Sequence, residues 1–304
     1  MDKNMYENFK NLEKSVYDSI SKSDLELINN ILKNIKEPTL VSGVGGAYVV
    51  SNYVSKVLQE KNNIIATNLQ HRDLNYMNIN NYKNIISCTY GARNYGVEVS
   101  LNNNLNKYVL SRNKKEGVTN INYATSEIEN SFIALSATLV PMSILLLYYC
   151  DNDMTYLNEI LNMKVNFDIN DKTVYEILSG YETSTAATFL ESTFTESGIG
   201  TAIVHDKYDY CHGRSTLNYN FDNNIIFFNS KNELDKLYDN ELKNYYKNII
   251  KIDRKYADDI INDYYLTYIS MLLCKEIAKK QNKDLSIVEY SPFVKKLYYY
   301  KGNL

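Results

Sequence analysis

The sequence predicts an α/β protein made of two tandem domains, each a doubly wound parallel sheet flanked by helices. Three observations carry this. Short apolar runs alternate with stretches of helical periodicity along most of the chain. One apolar run ends on a Gly-rich turn and another on a hydroxyl-rich turn, each leading straight into a helix. The second half then repeats the order of the first, with matched positions about 137 to 140 residues apart.

Residues 5–36 read as two helices. In the second, Leu25, Ile28, Ile31, Leu32 and Ile35 recur at helical spacing behind the polar start Ser23-Asp24. Thr39-Leu40-Val41 is a short strand that enters Ser42-Gly43-Val44-Gly45-Gly46, and a helix follows with Ala47, Val50, Val54, Val57 and Leu58 on one face. Further strands are expected at 63–67, 85–89, 107–110 and 121–124. The second half opens with the strand 174–178, closed by Ser179-Gly180 as Ser42-Gly43 closes the first. Strands at 202–204 and 225–228 mirror those near 64 and 84, and a helix is expected over 184–198. A long helix over 257–280 and a Tyr- and Lys-rich tail end the chain. The expected organisation is N-terminal helices at 1–36, a first domain at 37–160, and a second at 165–304 that includes the last helix and tail.

Composition narrows the class. The chain has 304 residues, 44% hydrophobic and 23% charged, with 11 Gly and 3 Pro, which excludes collagen, low-complexity disorder and a disulfide-stapled miniprotein. A net charge of −3 provides no basic field for a nucleic-acid backbone. Cys88, Cys150, Cys211 and Cys274 form no CxxC and no metal-ligand spacing, so reduced thiols and no metal are expected. The polar start MDKNMYENFKNLEKS lacks a secretory apolar stretch, which points to the cytoplasm. Residues 132–150 contain no charge and approach the length of a membrane span. Pro141, the hydroxyls of Ser136, Thr138 and Ser143 and acidic flanks argue instead for a helix buried against a sheet and a partner, so no membrane association is expected.

Two loops have the form of phosphate cradles. In Ser42–Gly46 a Gly-bearing turn opens a helix, so backbone N–H groups and the helix dipole favour an anion there, although a tight turn requires Gly for its own sake. In 86–94 the order is again strand, hydroxyl-rich turn, helix, with Ser87, Cys88 and Thr89 in the turn and Arg93 and Asn94 within reach of an anion. Loops at the C-terminal ends of adjacent strands converge on one crevice, and a phosphorylated small molecule is its natural occupant.

The densest acid–base chemistry lies in the second half. Glu191 and Glu196 fall on the expected helix, followed by His205-Asp206 and by Asp209-Tyr210-Cys211-His212-Gly213-Arg214. Each has an ordinary alternative: solvated helix carboxylates, a turn or core imidazole for His212, and a structural imidazole at a strand end for His205.

The paired loops and this constellation resemble the sugar isomerase (SIS) family, in particular its double-SIS phosphosugar isomerases and the isomerase half of glucosamine-6-phosphate synthase, over residues of about 30 to 304. In that family the first loop reads roughly G-x-S or G-T-S and the second S-x-S-G-[EN]-T. Here Ala47 stands at the first-loop Ser, while Ser87 and Thr89 match the second loop. The resemblance implies two flavodoxin-like SIS domains, a phosphorylated sugar or amino sugar as ligand, no cofactor, and a homodimer with residues 132–150 as a dimer face. The phosphate would lie against Ser42, Gly43, Gly45, Gly46, Ser87, Cys88, Thr89 and Arg93.

The family also carries a helical Glu and an E-x-x-H-G-P turn, matched by Glu191 and by 209–213, with Arg214 in place of Pro, either as a further anion contact or as the mark of a different ligand. Glu191, or Glu196 in its stead, would shuttle a proton between C1 and C2 while His212 assists ring opening. Lys296 matches a C-terminal Lys that reaches the sugar. Residue 2 is Asp, not the Cys a glutaminase domain needs, so glutamine-dependent amide transfer is not expected. A catalytically silent module that binds a sugar phosphate and reports it to a protein partner is the competing expectation.

Overall fold

The computed structural model describes residues 11–129 and 133–286, together with Phe9 and Phe293. The chain divides into two compact units, one built mainly on Lys10–Leu157 and the other on Asn158–Val288.

The first unit begins with helices α1 (Leu12–Lys22) and α2 (Leu25–Lys33), the latter capped by the Asp24 carboxylate, which accepts from Leu27 N. It continues through β1 (Thr39–Gly43), α3 (Gly46–Asn62), β2 (Ala66–Gln70), β3 (Asn84–Cys88), α4 (Tyr95–Leu101), β4 (Asn106–Ser111), β5 (Thr119–Asn122) and α5 (Ser136–Tyr149). The five strands are parallel in the order β2-β1-β3-β4-β5. β1 and β3 are buried along their whole length, as expected of central strands covered by helices on both faces. On one face Leu40, Leu69, Ile85, Val97, Leu101 and Val109 form a continuous core.

The second unit repeats the plan after α6 (Thr155–Leu161). Its elements are β6 (Val174–Ser179), α7 (Ser184–Ser197), β7 (Thr201–Asp206), α8 (Thr216–Phe221), β8 (Asn224–Asn229), α9 (Glu233–Tyr245), β9 (Ile249–Asp253) and α10 (Asp259–Lys280). Its four strands are parallel in the order β7-β6-β8-β9, so both sheets share the order second, first, third, fourth. Leu178, Tyr210, Ile225, Phe227, Tyr238 and Leu242 form its core on one face, and α7 and α10 pack together.

Several boundaries move from their expected places. The strand expected at 63–67 is β2 at Ala66–Gln70, because α3 runs on through Glu60, Lys61 and Asn62 and closes at Asn63 in the left-handed conformation (φ 54°). The strand expected at 121–124 lies two residues earlier. β9 is an additional strand on the outer edge of the second sheet.

The uncharged segment 132–150 also needs correction as a dimer face. Within it α5 is 14 residues long and buried from Thr138 to Tyr148 by its own chain, packed on α1 and α3. Its apolar surface is therefore covered without a second subunit. No described helix is long and apolar enough to cross a membrane.

Candidate functional site

In the first sheet the chain moves outward from β1 in opposite directions, to β2 on one side and β3 on the other. The loops leaving the C-terminal ends of β1 and β3 therefore part, and open α/β sheets bind ligands at such a place. A cavity of about 410 Å³ lies there, lined by Gly46, Ala47, Thr89, Arg93, Asn94 and Glu129 among others.

Each wall of the cavity follows from local sequence. Gly45 precedes α3 at φ 57°, a conformation that costs Gly little. No described side chain caps α3, so the first N–H groups of this helix keep their capacity for an anion. Gly43 lets α3 close down on β1, since a Cβ there would sit 2.3 Å from the carbonyl oxygen of Ala47. On the facing loop Thr89 Oγ1 accepts from Ala92 N at 3.3 Å, leaving the hydroxyl proton to donate. The Arg93 side chain is exposed and pairs with no described residue, while Asn94 caps α4 by accepting from Val97 N at 3.0 Å.

Glu129 supplies the carboxylate of this cavity. Its Oε1 accepts from Leu135 N and Ser136 N at 3.0 Å, and its Oε2 from Ala137 N at 2.8 Å. It thereby takes the anion position at the N-terminus of α5. Desolvation pushes its carboxyl above the ordinary range, against the pull of these three N–H groups. The cavity thus offers a positive wall, made of the α3 N-terminus, Thr89 and Arg93, and a single carboxylate already engaged as a cap.

Several residues expected at this site point elsewhere. The Ser42 hydroxyl lies in the core, 3.0 Å from Nδ1 of the buried His71. Ser87 Oγ accepts from Ser100 Oγ at 2.9 Å and is fully buried. Cys88 is also buried, and burial pushes its thiol far up. Of the eight phosphate positions expected, Gly46, Thr89 and Arg93 line the cavity, Gly43 and Gly45 shape its backbone, and Ser42, Ser87 and Cys88 support it from beneath. The alternation of the strand explains this, because side chains along β1 and β3 go to the two helix-covered faces, while only residues past the strand ends face the crevice.

The acid–base residues belong to the second unit. Glu191 is exposed on α7, whereas Glu196 is partly buried, accepts from Ser192 Oγ at 2.8 Å, and is pushed up by desolvation. The partial burial expected of a proton shuttle is therefore found at Glu196. His212 is exposed within the turn Tyr210–Arg214, its ring centroid 5.3 Å from that of Tyr208, and Gly213 follows at φ 99°. No hydrogen bond or ion pair among the described residues joins His212 to either Glu. Arg214 is exposed, 4.0 Å from the Asp209 carboxylate. His205 is a core residue, its Nε2 3.4 Å from Oε2 of the fully buried Glu176, whose other oxygen accepts from Asn223 Nδ2 at 2.9 Å. Lys296 lies outside the described residues.

Nearly the whole chain aligns with solved structures named for sugar-phosphate enzymes. A Clostridium difficile protein provisionally named a phosphosugar isomerase aligns over 97% of this chain and 98% of its own, with a TM-score of 0.70 and 15% identity. The C-terminal domain of glucosamine-fructose-6-phosphate aminotransferase from Francisella tularensis aligns over 94% and 98%, at a TM-score of 0.71 and 12% identity. Tagatose-6-phosphate ketose/aldose isomerase from Escherichia coli aligns over 95% and 97%, at 0.68 and 13%. The chain shares their fold. No protein-family model and no curated protein matches it in sequence. A shared fold with this little sequence in common leaves the ligand to the chain's own residues.

Glu129 is the main lining residue that the sequence reading passed over. One signal for it was present: an acidic residue shortly before an apolar helix that begins at Ser136 with no acidic residue in its first turn. Tyr90 also lines the cavity, from a loop whose hydroxyls are its main sequence signal, beside Asn94, which the sequence places within reach of an anion.

Proposed function

We propose that this protein is a sugar-phosphate isomerase that grips the phosphate of its substrate in the first-unit crevice. The observation that carries the reading is the open cavity between the β1 and β3 loops. It combines a helix N-terminus that no described side chain caps, the Thr89 hydroxyl and an Arg93 guanidinium that pairs with no described residue. Backbone N–H groups and one guanidinium suit a phosphate monoester of a small molecule, and a net charge of −3 makes this local cradle, not a global field, the source of affinity. The fold shared with enzymes named for sugar phosphates supports the same ligand class.

In this reading His212 assists ring opening. A carboxylate of α7 takes the C2 proton of the open-chain aldose, the C2–H electron pair forms the C1=C2 bond, and the carbonyl pair moves to O1, which takes up a proton to give the enediol. O2–H then gives up its proton as C2=O forms, and the C1=C2 pair takes the carboxylic acid's proton at C1. Glu196 suits the shuttle better than Glu191, because desolvation raises its pKa toward the working range of a general base. A homodimer is part of the proposal, and a monomer in sedimentation at micromolar concentration removes it.

A second reading, a regulator that binds a sugar phosphate without turnover, is favoured by the exposure of Glu191 and His212 and the lack of any bond between His212 and either Glu. One experiment separates the two. The protein is incubated in D₂O with hexose, pentose and amino-sugar phosphates, and deuterium at C1 or C2 is read by NMR. Incorporation that is lost in Glu196→Gln or Glu191→Gln is the expected result and names the base. Binding by thermal shift with no incorporation from any substrate selects the regulator.

A further inference from the structure

The repeated fold gives the second unit a switch point of its own, between β6 and β8. The equivalent position is not open there. Glu182, on the turn Tyr181–Thr183 that follows β6, folds its carboxylate back over Gly180, where an added Cβ would lie 2.4 Å from Oε2. Its Oε1 accepts from Ser230 Oγ, in the loop after β8, and from Lys207 Nζ at 3.1 Å, just after β7. The carboxylate thus bridges the loops that in the first unit stand apart around a cavity.

Its partners are those of an anion site. Lys207 is a nearly fully buried ammonium, 3% exposed. It also donates to the Phe228 carbonyl at 3.2 Å and to Asp235 Oδ2 at 2.9 Å. Asp235 is fully buried and accepts from Ser230 N, so the Lys207–Asp235 pair is neutral by itself and belongs to the core. Glu182 is the outer member, with its side chain 22% exposed. Desolvation opposes its charge, yet the Ser230 hydroxyl and the Lys207 ammonium outweigh it and hold the carboxyl below its ordinary value. An anion from solution can therefore take the place of Glu182 against Lys207 and Ser230, a monoanion with no change in the net charge of the cluster and a phosphate dianion with one negative charge added.

We propose that the second switch point is an anion-binding site occupied by the chain's own Glu182 carboxylate, and that a phosphate-bearing ligand competes for it. The site is distinct from the crevice between β1 and β3. Its occupation would release Glu182 and the exposed Tyr181 beside it, giving phosphate a second effect on this protein.

The test is calorimetric titration of the full chain with inorganic phosphate, comparing the wild type, Glu182→Ala and Glu182→Gln. Removing the resident carboxylate should add one phosphate per chain, or tighten a weak second site by at least about tenfold. A further Lys207→Met change should abolish that gain. Because the readout is the difference from wild type, it holds whether or not the first crevice binds phosphate. Glu182→Gln keeps the size and hydrogen-bonding shape of the side chain, and decides the matter if Glu182→Ala does not fold. Folded Glu182 variants with the wild-type isotherm overturn the proposal, as does a gain that survives Lys207→Met.

Discussion

Ser42 and His71 show how one hydrogen bond converts an expected ligand into a structural group. The imidazole is buried beside β1, and a Cβ at Gly96 would come within 2.6 Å of its Cδ2, so it has little room to move. Burial pulls its pKa down to about 4. The unfolded chain binds a proton near pH 6.5 that the folded chain refuses, so stability is full above that pH and falls as pH drops toward 4. Urea titrations at pH 7 and pH 4.5 should differ by up to about 2 kcal/mol from this group, and His71→Gln should flatten the difference. Arg93 makes the opposite case. Arg93→Ala should weaken sugar-phosphate binding about tenfold or more while leaving the melting temperature unchanged, because the exposed guanidinium pairs with no described residue.

At the scale of elements, periodicity identified most helices and strands, and the errors fell where it competes with geometry. The sequence of β2 is ambiguous at its start, and only the left-handed closure of α3 at Asn63 decides where the strand begins. For α5 the sequence showed an apolar helix on all sides but not what covers it. Its burial by α1 and α3 makes a definite prediction. Leu146→Ala should lower stability by about 2–5 kcal/mol and leave the number of subunits seen in sedimentation unchanged. A folded Leu146→Ala protein with fewer subunits than the wild type would return α5 to a subunit interface. Gly43 tests the contact of α3 with β1. Gly43→Ala drives a Cβ into the backbone of Ala47 and should cost about 1–3 kcal/mol or more, with phosphate binding lost alongside.

For the whole molecule, the duplication explains both what could be read and what could not. Two stretches about 137 residues apart end in Ser-Gly, and both become the first strand of a parallel sheet. The internal repeat, the alternation of strand and helix, and the two turns after β1 and β3 were legible because they depend on local pattern and on side-chain period. Those features determine an α/β fold with a crevice at the strand ends. Tertiary structure decided which crevice is open. Glu182, Lys207 and Ser230 come from three separated segments, and their meeting fills the second switch point. In the first unit the loops after β1 and β3 meet no such bridge, and Glu129 turns instead to the N-terminus of α5. A charged group satisfies its desolvation cost with whatever partner the folded chain brings within hydrogen-bond range, and sequence spacing does not specify that partner.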